Sequence, residues 1–223
     1  MKILLVADEP SKALWDFYDA QRTEGVDLIL SAGDLSASYL EFLVTMVNCP
    51  LLYVRGNHDD IFSIYPPDGC TCIEDTIYKF KGIRIMGIGG SMRYRDGKNM
   101  FTEDQMRKRV RKMDLAAMRT HGFDILLTHA PAKGHGDLQD LPHIGFECFN
   151  ELLEKWKPQY MIHGHVHQSY GHFTREQMHP SGAKIINAFG YTMLELPDPV
   201  EEVEQVSRLA SIRLTLKSKF RKA

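Results

Sequence analysis

The segment LLYVRGNHDD, residues 51–60, joins two kinds of sequence. Leu51–Val54 is a short apolar run, the composition of a buried strand. It stops at Arg55-Gly56, and the next three residues, Asn57, His58 and Asp59, can each hold a cation or handle a proton. A buried strand that delivers polar side chains at its C-terminal end is how open α/β sheets build their crevices.

The same grammar recurs upstream. Leu28–Ala32 is followed by Gly33-Asp34, and Ile3–Ala7 by Asp8. Between these runs, Leu14–Arg22 and Ser38–Val47 have the apolar spacing of amphipathic helices. The β-α-β-α-β order predicts a parallel sheet with helices on its faces.

Downstream, Thr76–Phe80 and Ile83–Ile88 flank Lys81-Gly82 and read as a hairpin. Gly89–Asn99, rich in Gly, Arg and Tyr, has the character of a functional loop. Thr102–Met118 reads as a helix with Thr102 as N-cap and Asp104 in its first turn. Phe123–Thr128 is a strand that ends on His129, and Phe146–Trp156 is a helix. Tyr160–His163 is a strand that runs into Gly164-His165-Val166-His167. Lys184–Ala188 and Tyr191–Leu196 complete the strands. Pro197 and Pro199 punctuate a change. Val200–Phe220 then reads as a helix with acidic residues early and basic ones late, an order that complements the helix dipole. The organisation expected is a domain over residues 1–196 and a helical tail over 197–223.

Bulk properties narrow the function classes. In 223 residues, 43 % are apolar and 25 % charged, with a formal net charge of −2. That is the balance of a soluble globular protein. It supplies no strong field toward nucleic acid or anionic membrane. No apolar run is long enough to span a bilayer, and the N-terminal run reads as a strand rather than a signal peptide. Four scattered cysteines without a secretory signal suggest free thiols in a reducing compartment, so a cytoplasmic location is expected.

Six candidate metal ligands thus follow strands: Asp8, Asp34, Asn57, His129, His165 and His167. Hard oxygens mixed with imidazoles suit Mn, Fe or Zn rather than a thiolate-bound metal. Gly33, Gly56 and Gly164 let the backbone turn sharply and approach closely beside them. Asp34 could bridge two ions, and His165 and His167 could diverge to serve one each. Two divalent metals roughly 3.5–4 Å apart clamp a phosphoryl group and activate a bridging water as hydroxide, the nucleophile of in-line displacement.

Taken in order, these motifs resemble those of the calcineurin-like metallophosphoesterases: D-x-H, G-D, G-N-H-[DE], H and G-H-x-H. The likeness runs from Met1 to about Leu196. The stretches around Thr128–Asp137, His163–Gly171 and Ile186–Gly190 are similar to a narrower branch of small single-domain phosphodiesterases. The resemblance implies a four-layer α/β/β/α sandwich. It implies Asp34 as bridging ligand, Asn57, His129 and His165 on the second metal, and Asp8 and His167 on the first. It implies His58 as the catalytic residue that contacts phosphate and assists the leaving group, with Asp59 orienting it.

One position departs from the pattern. Where the family has D-x-H, this chain has Asp8-Glu9-Pro10, and proline offers neither a side-chain ligand nor an N–H. The first metal is expected to bind weakly, with water in the vacated position. Arg93, Tyr94 and His135 are candidates for substrate binding; His121, His143, His172 and His179 read as structural or surface residues. The basic run at residues 107–112 reads as a solvated helix face. The expected partner is a small phosphoester, with nucleic acid and membrane disfavoured and homo-oligomerisation left open. The alternative is an interaction protein that kept the metal-binding fold and weakened its catalysis.

Overall fold

Residues 2–7, KILLVA, account for the layering. They form strand β1 (Lys2–Ala7), buried from Ile3 onward. Successive side chains of a strand point to opposite faces. Ile3, Leu5 and Ala7 enter one apolar core, while Leu4 and Val6 enter another. A strand buried on both faces belongs in the middle of a sandwich.

The computed structural model describes residues 1–171 and 173–197. The further strands are β2 (Val26–Ser31), β3 (Leu51–Tyr53), β4 (Cys70–Cys72), β5 (Thr76–Phe80), β6 (Ile83–Ile88), β7 (Ser91–Met92) and β8 (Met100–Phe101). They continue as β9 (Ile125–Thr128), β10 (Tyr160–His163), β11 (Glu176–Met178), β12 (Lys184–Asn187) and β13 (Gly190–Glu195). The α-helices are α1 (Ala37–Val47), α2 (Glu103–Thr120) and α3 (Glu147–Trp156). One sheet has the order β13-β1-β2-β3-β4 and the other β11-β12-β10-β9-β6-β5. Inside each, β1, β2 and β3, and likewise β6, β9, β10 and β12, run parallel.

The core between the sheets joins Ile3, Leu5, Leu28, Leu30 and Leu52 to Ile85, Ile125, Leu127, Ile162 and Ile186. Helix α1 covers the outer face of the first sheet through Tyr39, Leu40 and Leu43. Helices α2 and α3 cover the second through Met106, Met113, Phe149 and Leu153. The result is the four-layer α/β/β/α sandwich.

Local chemistry sets the element ends. The Thr102 hydroxyl accepts from the Gln105 N–H while the Gln105 side chain accepts from the Thr102 N–H, a capping box. Helix α3 has no side-chain cap of its own. Instead Glu103 of α2 accepts from the N–H groups of Glu147 and Cys148, so one helix caps the other across the layer. The β5–β6 hairpin turns at Lys81 (φ 43°) and Gly82 (φ 85°), the left-handed pair of a tight two-residue loop.

The helix expected at Leu14–Arg22 is not formed. The segment turns loosely and carries one short 3-10 helix, Ala20–Thr23, capped by Asp19. Only Leu14 is fully buried, and Phe17 is 72 % exposed. Trp15 stacks against Tyr39 of α1, 4.8 Å between centroids. With most of its apolar side chains left unburied, nothing offsets helix nucleation. The helix expected at Val200–Phe220 lies outside the described residues, as does most of the proposed tail. Among the described residues, no helix is long and apolar enough to cross a membrane.

Candidate metal centre

The C-terminal ends of β1, β2, β3, β9 and β10 bring Asp8, Asp34, Asn57, His129 and His165 to one place. Three of these residues adopt left-handed backbone conformations there: Asp8 (φ 66°), Asp34 (φ 59°) and His165 (φ 70°). Such residues cost about 1–3 kcal/mol each and persist where the surroundings over-determine them. The surroundings here are tight. A Cβ on Gly56 would land on the Asp34 carboxylate, and one on Gly33 would meet Gly56 and the His129 ring.

Asp34, His129 and His165 present ligand atoms to one another as a candidate metal group. The hydrogen bonds behind them decide what these atoms are. His129 Nδ1 lies 2.7 Å from the Ala32 carbonyl, and His165 Nε2 lies 2.7 Å from the Pro142 carbonyl. A carbonyl only accepts, so both nitrogens carry hydrogen. The remaining nitrogens, His129 Nε2 and His165 Nδ1, face each other at 3.1 Å. Asn57 Oδ1 is 3.0 Å and Asp34 Oδ2 3.3 Å from the same His129 nitrogen. Acceptors so crowded need a cation between them, and backbone carbonyls behind the imidazoles are the usual outer support of a metal site. Imidazole nitrogens beside a carboxylate and an amide oxygen are a donor set that could hold a divalent metal ion.

The electrostatics agree. Burial raises the Asp34 carboxyl, but His129 and the His58 N–H overcome it and hold the group down to about 2. Burial lowers His129, yet the Asp34 carboxylate lifts it to about 9. Burial and His129 together push His165 down to about 3. The Asp34 and His129 shifts both favour positive charge beside the Asp34 carboxylate.

The residues expected on a first metal, Asp8 and His167, are less assembled. Both Asp8 oxygens accept from the His165 backbone N–H, at 2.9 and 3.0 Å, and His167 Nε2 stands 3.7 Å from Asp8 Oδ1. Pro10 and Glu9 are exposed, and neither is among the residues that line the cleft described below.

A cleft of about 440 Å³ opens over the centre, lined by Asp8, Asp34, Asn57, His58, His165 and His167 and walled by Tyr94, Pro142, His143 and Tyr170. His58 donates its backbone N–H to Asp34 Oδ1 at 2.8 Å, while its imidazole is exposed toward the cleft.

Three expectations need correction. Asp59 does not orient the His58 ring: its Oδ2 accepts the N–H groups of Asp34 and Gly56 at 2.8 and 2.7 Å, tying the two ligand loops together. Burial and the Asp34 charge push its carboxyl up to about 6. Arg93 turns away and donates to the Met100 carbonyl. Arg95 instead reaches His58, with Nη2 3.5 Å from Nδ1. His135 packs on His179, 4.5 Å between ring centroids, and does not line the cleft.

Tyr94 does line it. So do His143 and Tyr170, for which the sequence carried no signal. His143 sits in a polar loop, and it reaches the cleft because Asp140 Oδ2 holds its Nδ1 at 2.6 Å and its ring leans on Tyr170. Tyr170 in turn stacks on His167 at 4.6 Å.

The family model for calcineurin-like phosphoesterases matches residues 1–169. The chain belongs to the calcineurin-like phosphoesterases. Among curated relatives of this calcineurin-like phosphoesterase, the UPF0046 protein T07D4.2 of Caenorhabditis elegans is 40 % identical over 52 residues, 22 % of this chain and 13 % of that one. The UPF0046 protein C25E10.12 of the same organism is 26 % identical over 147 residues, 61 % of this chain and 50 % of that one. The matched part of the chain therefore spans half or less of those relatives' length. Among solved structures, TT1561 of Thermus thermophilus superposes with a TM-score of 0.61 at 16 % identity, over 84 % of this chain and 88 % of that one. At that identity the likeness speaks for the fold alone.

Proposed function

We propose that this calcineurin-like phosphoesterase hydrolyses a small phosphodiester, or less readily a phosphomonoester, with two divalent cations as cofactors. The observation that carries the reading is the convergence of His129 Nε2, His165 Nδ1, Asn57 Oδ1 and Asp34 Oδ2 beneath a cleft edged by His58. When bound, divalent ions would supply an activated water and neutralise charge on the phosphoryl oxygens.

The chain's own residues do the rest. Asn57, His129 and His165 would hold one ion, Asp8 and His167 the other, with Asp34 shared. Asp59 keeps the Asp34 and Gly56 backbones in register. Arg95 reaches His58, with Nη2 3.5 Å from Nδ1, and steadies the ring at the edge of the cleft. His58, once protonated, would pass a proton to the departing oxygen and be left as neutral imidazole. Tyr94, His143 and Tyr170 wall the substrate in. The chain is a cytoplasmic enzyme in this reading.

The missing imidazole at Pro10 is the observation that favours a second reading, a metal-binding interaction protein with weakened catalysis. Assays of aryl phosphodiesters, phosphomonoesters and cyclic nucleotides with Mn²⁺ decide between them. Turnover by wild type that collapses in His58→Ala supports the enzyme; metal binding without turnover of any ester supports the alternative.

A further inference from the structure

His58 stands between two cavities. On one side is the metal cleft. On the other lies a cavity of about 370 Å³ that shares Asp34 and His58 with it and continues over Leu35, Ser36, Ala37, Asp59, Ile61, Phe62 and Tyr65. Its character is different. Five of its lining side chains are apolar or aromatic, and no lysine or arginine is among them.

The outer wall comes from the 3-10 helix Asp60–Ser63 and the residues just after it. This wall is fixed rather than loose. Phe62 is buried edge-on against Tyr53, 5.8 Å between centroids, and Asn99 Nδ2 donates to Asp60 Oδ1 at 3.1 Å. Upon that support Ile61 is 52 % and Tyr65 69 % exposed. Large apolar side chains held in water beside a polar centre mark a surface that something apolar covers.

We infer that this second cavity is the leaving-group subsite, and that the substrate is a phosphodiester of an apolar or aromatic alcohol whose hydrocarbon part rests on Ile61 and Tyr65. The inference rests on the reading of His58 as proton donor. If His58 protonates the departing oxygen, whatever that oxygen carries must extend past His58, away from the metal ligands. The lining that the two cavities share is Asp34 and His58, so that path enters the apolar cavity. A lining without a cationic side chain disfavours a leaving group with a further phosphate. The reaction balances as ordinary hydrolysis: water adds to phosphorus, the P–O bond to the alcohol breaks, and the alcohol leaves with a proton.

The test uses two aryl methyl phosphodiesters whose phenols match in acidity but not in bulk, phenyl and 4-tert-butylphenyl. Wild type with Mn²⁺ should favour the bulkier ester by about 10-fold in kcat/KM, the discrimination that apolar contact in a pocket gives. Ile61→Ser and Tyr65→Ser should each shrink that preference to about threefold or less, the phenyl ester losing less than the bulkier one because it covers less of the two side chains. Both side chains are exposed, so phenyl ester turnover also reports intact folding. A readout apart from activity is the Ile61 δ1-methyl NMR resonance of Zn²⁺-loaded protein. It should shift with methyl (4-tert-butylbenzyl)phosphonate, an uncleavable isostere, and not with methyl methylphosphonate. Turnover of both esters with a preference unchanged in the variants, or an unmoved Ile61 resonance, overturns the subsite while sparing the enzyme. No turnover of either ester by wild type overturns the enzymatic reading and the subsite with it.

Discussion

His129 Nε2 and His165 Nδ1 lie 3.1 Å apart with their other nitrogens committed to the carbonyls of Ala32 and Pro142. Two bare lone pairs at that distance repel unless a cation joins them. Asp34 supplies the negative charge that makes such a cation welcome. Asp34→Asn keeps the shape and an acceptor for the His58 N–H but removes that charge. Metal affinity should fall more than the roughly 10–100-fold typical of losing an outer partner. Turnover should fall with it. Calorimetric titration with Mn²⁺ checks this, and wild-type affinity in the variant would contradict the site.

His58 separates chemistry from binding. Its contribution to Asp34 is a backbone N–H, which substitution leaves in place. His58→Ala should retain its metal and lower kcat by about 10²–10⁴-fold on a poorly activated ester, the range for general acid catalysis. The loss should shrink for esters with acidic leaving groups. An unchanged rate on the poor ester would remove His58 from the reaction.

If two ions bind as proposed, Pro10 makes their positions unequal. One would have four protein ligands converging; the other would have Asp8 and His167, 3.7 Å apart, and a share of Asp34. Fewer ligands mean weaker binding. A chelator titration followed by metal analysis should remove the ions in two steps, the Asp8–His167 ion first. Pro10→His should draw the steps together. Simultaneous loss of both ions from wild type would refute the inequality.

Away from the centre, Arg84 grips Asp124 through Nε and Nη2 while its Nη1 donates to the carbonyls of Thr120 and His121 at the end of α2. Burial raises the Asp124 carboxyl, but the Arg84 hydrogen bonds prevail and hold it below the ordinary carboxylate range. A lowered folded-state pKa stabilises above the unfolded value and is lost as pH falls through the folded one. Asp124→Asn should therefore cost about 1–3 kcal/mol near neutrality. The gap from wild type should close in acid. Urea denaturation of both proteins across pH measures it, and a pH-independent difference would mean packing, not charge, sets the cost.

The amino-acid sequence alone determined which residues stand at strand ends and so which chemistry the chain carries. Buried parallel strands announce themselves as apolar runs, and Asp8, Asp34, Asn57, His129 and His165 follow such runs directly. Thr102 and the Lys81-Gly82 turn were legible for the same reason: their signals act over a few residues. Two edge strands were not. Cys70–Cys72 and Glu176–Met178 lie largely exposed, so no burial pattern marks them.

Tertiary structure decided everything that spans the chain. Ala32 supports a histidine 97 residues away, and Asp8 receives an N–H 157 residues away. Sheet register brings those pairs together, and no local pattern encodes it. The same holds for His143, an ordinary loop histidine until Asp140 and Tyr170 aim it at the cleft, and for Asp59, whose neighbour in sequence is His58 but whose partners are two backbone amides. Local physics names the groups; only packing chooses their partners, because a side chain's partner is whatever the fold places within about 3 Å of it.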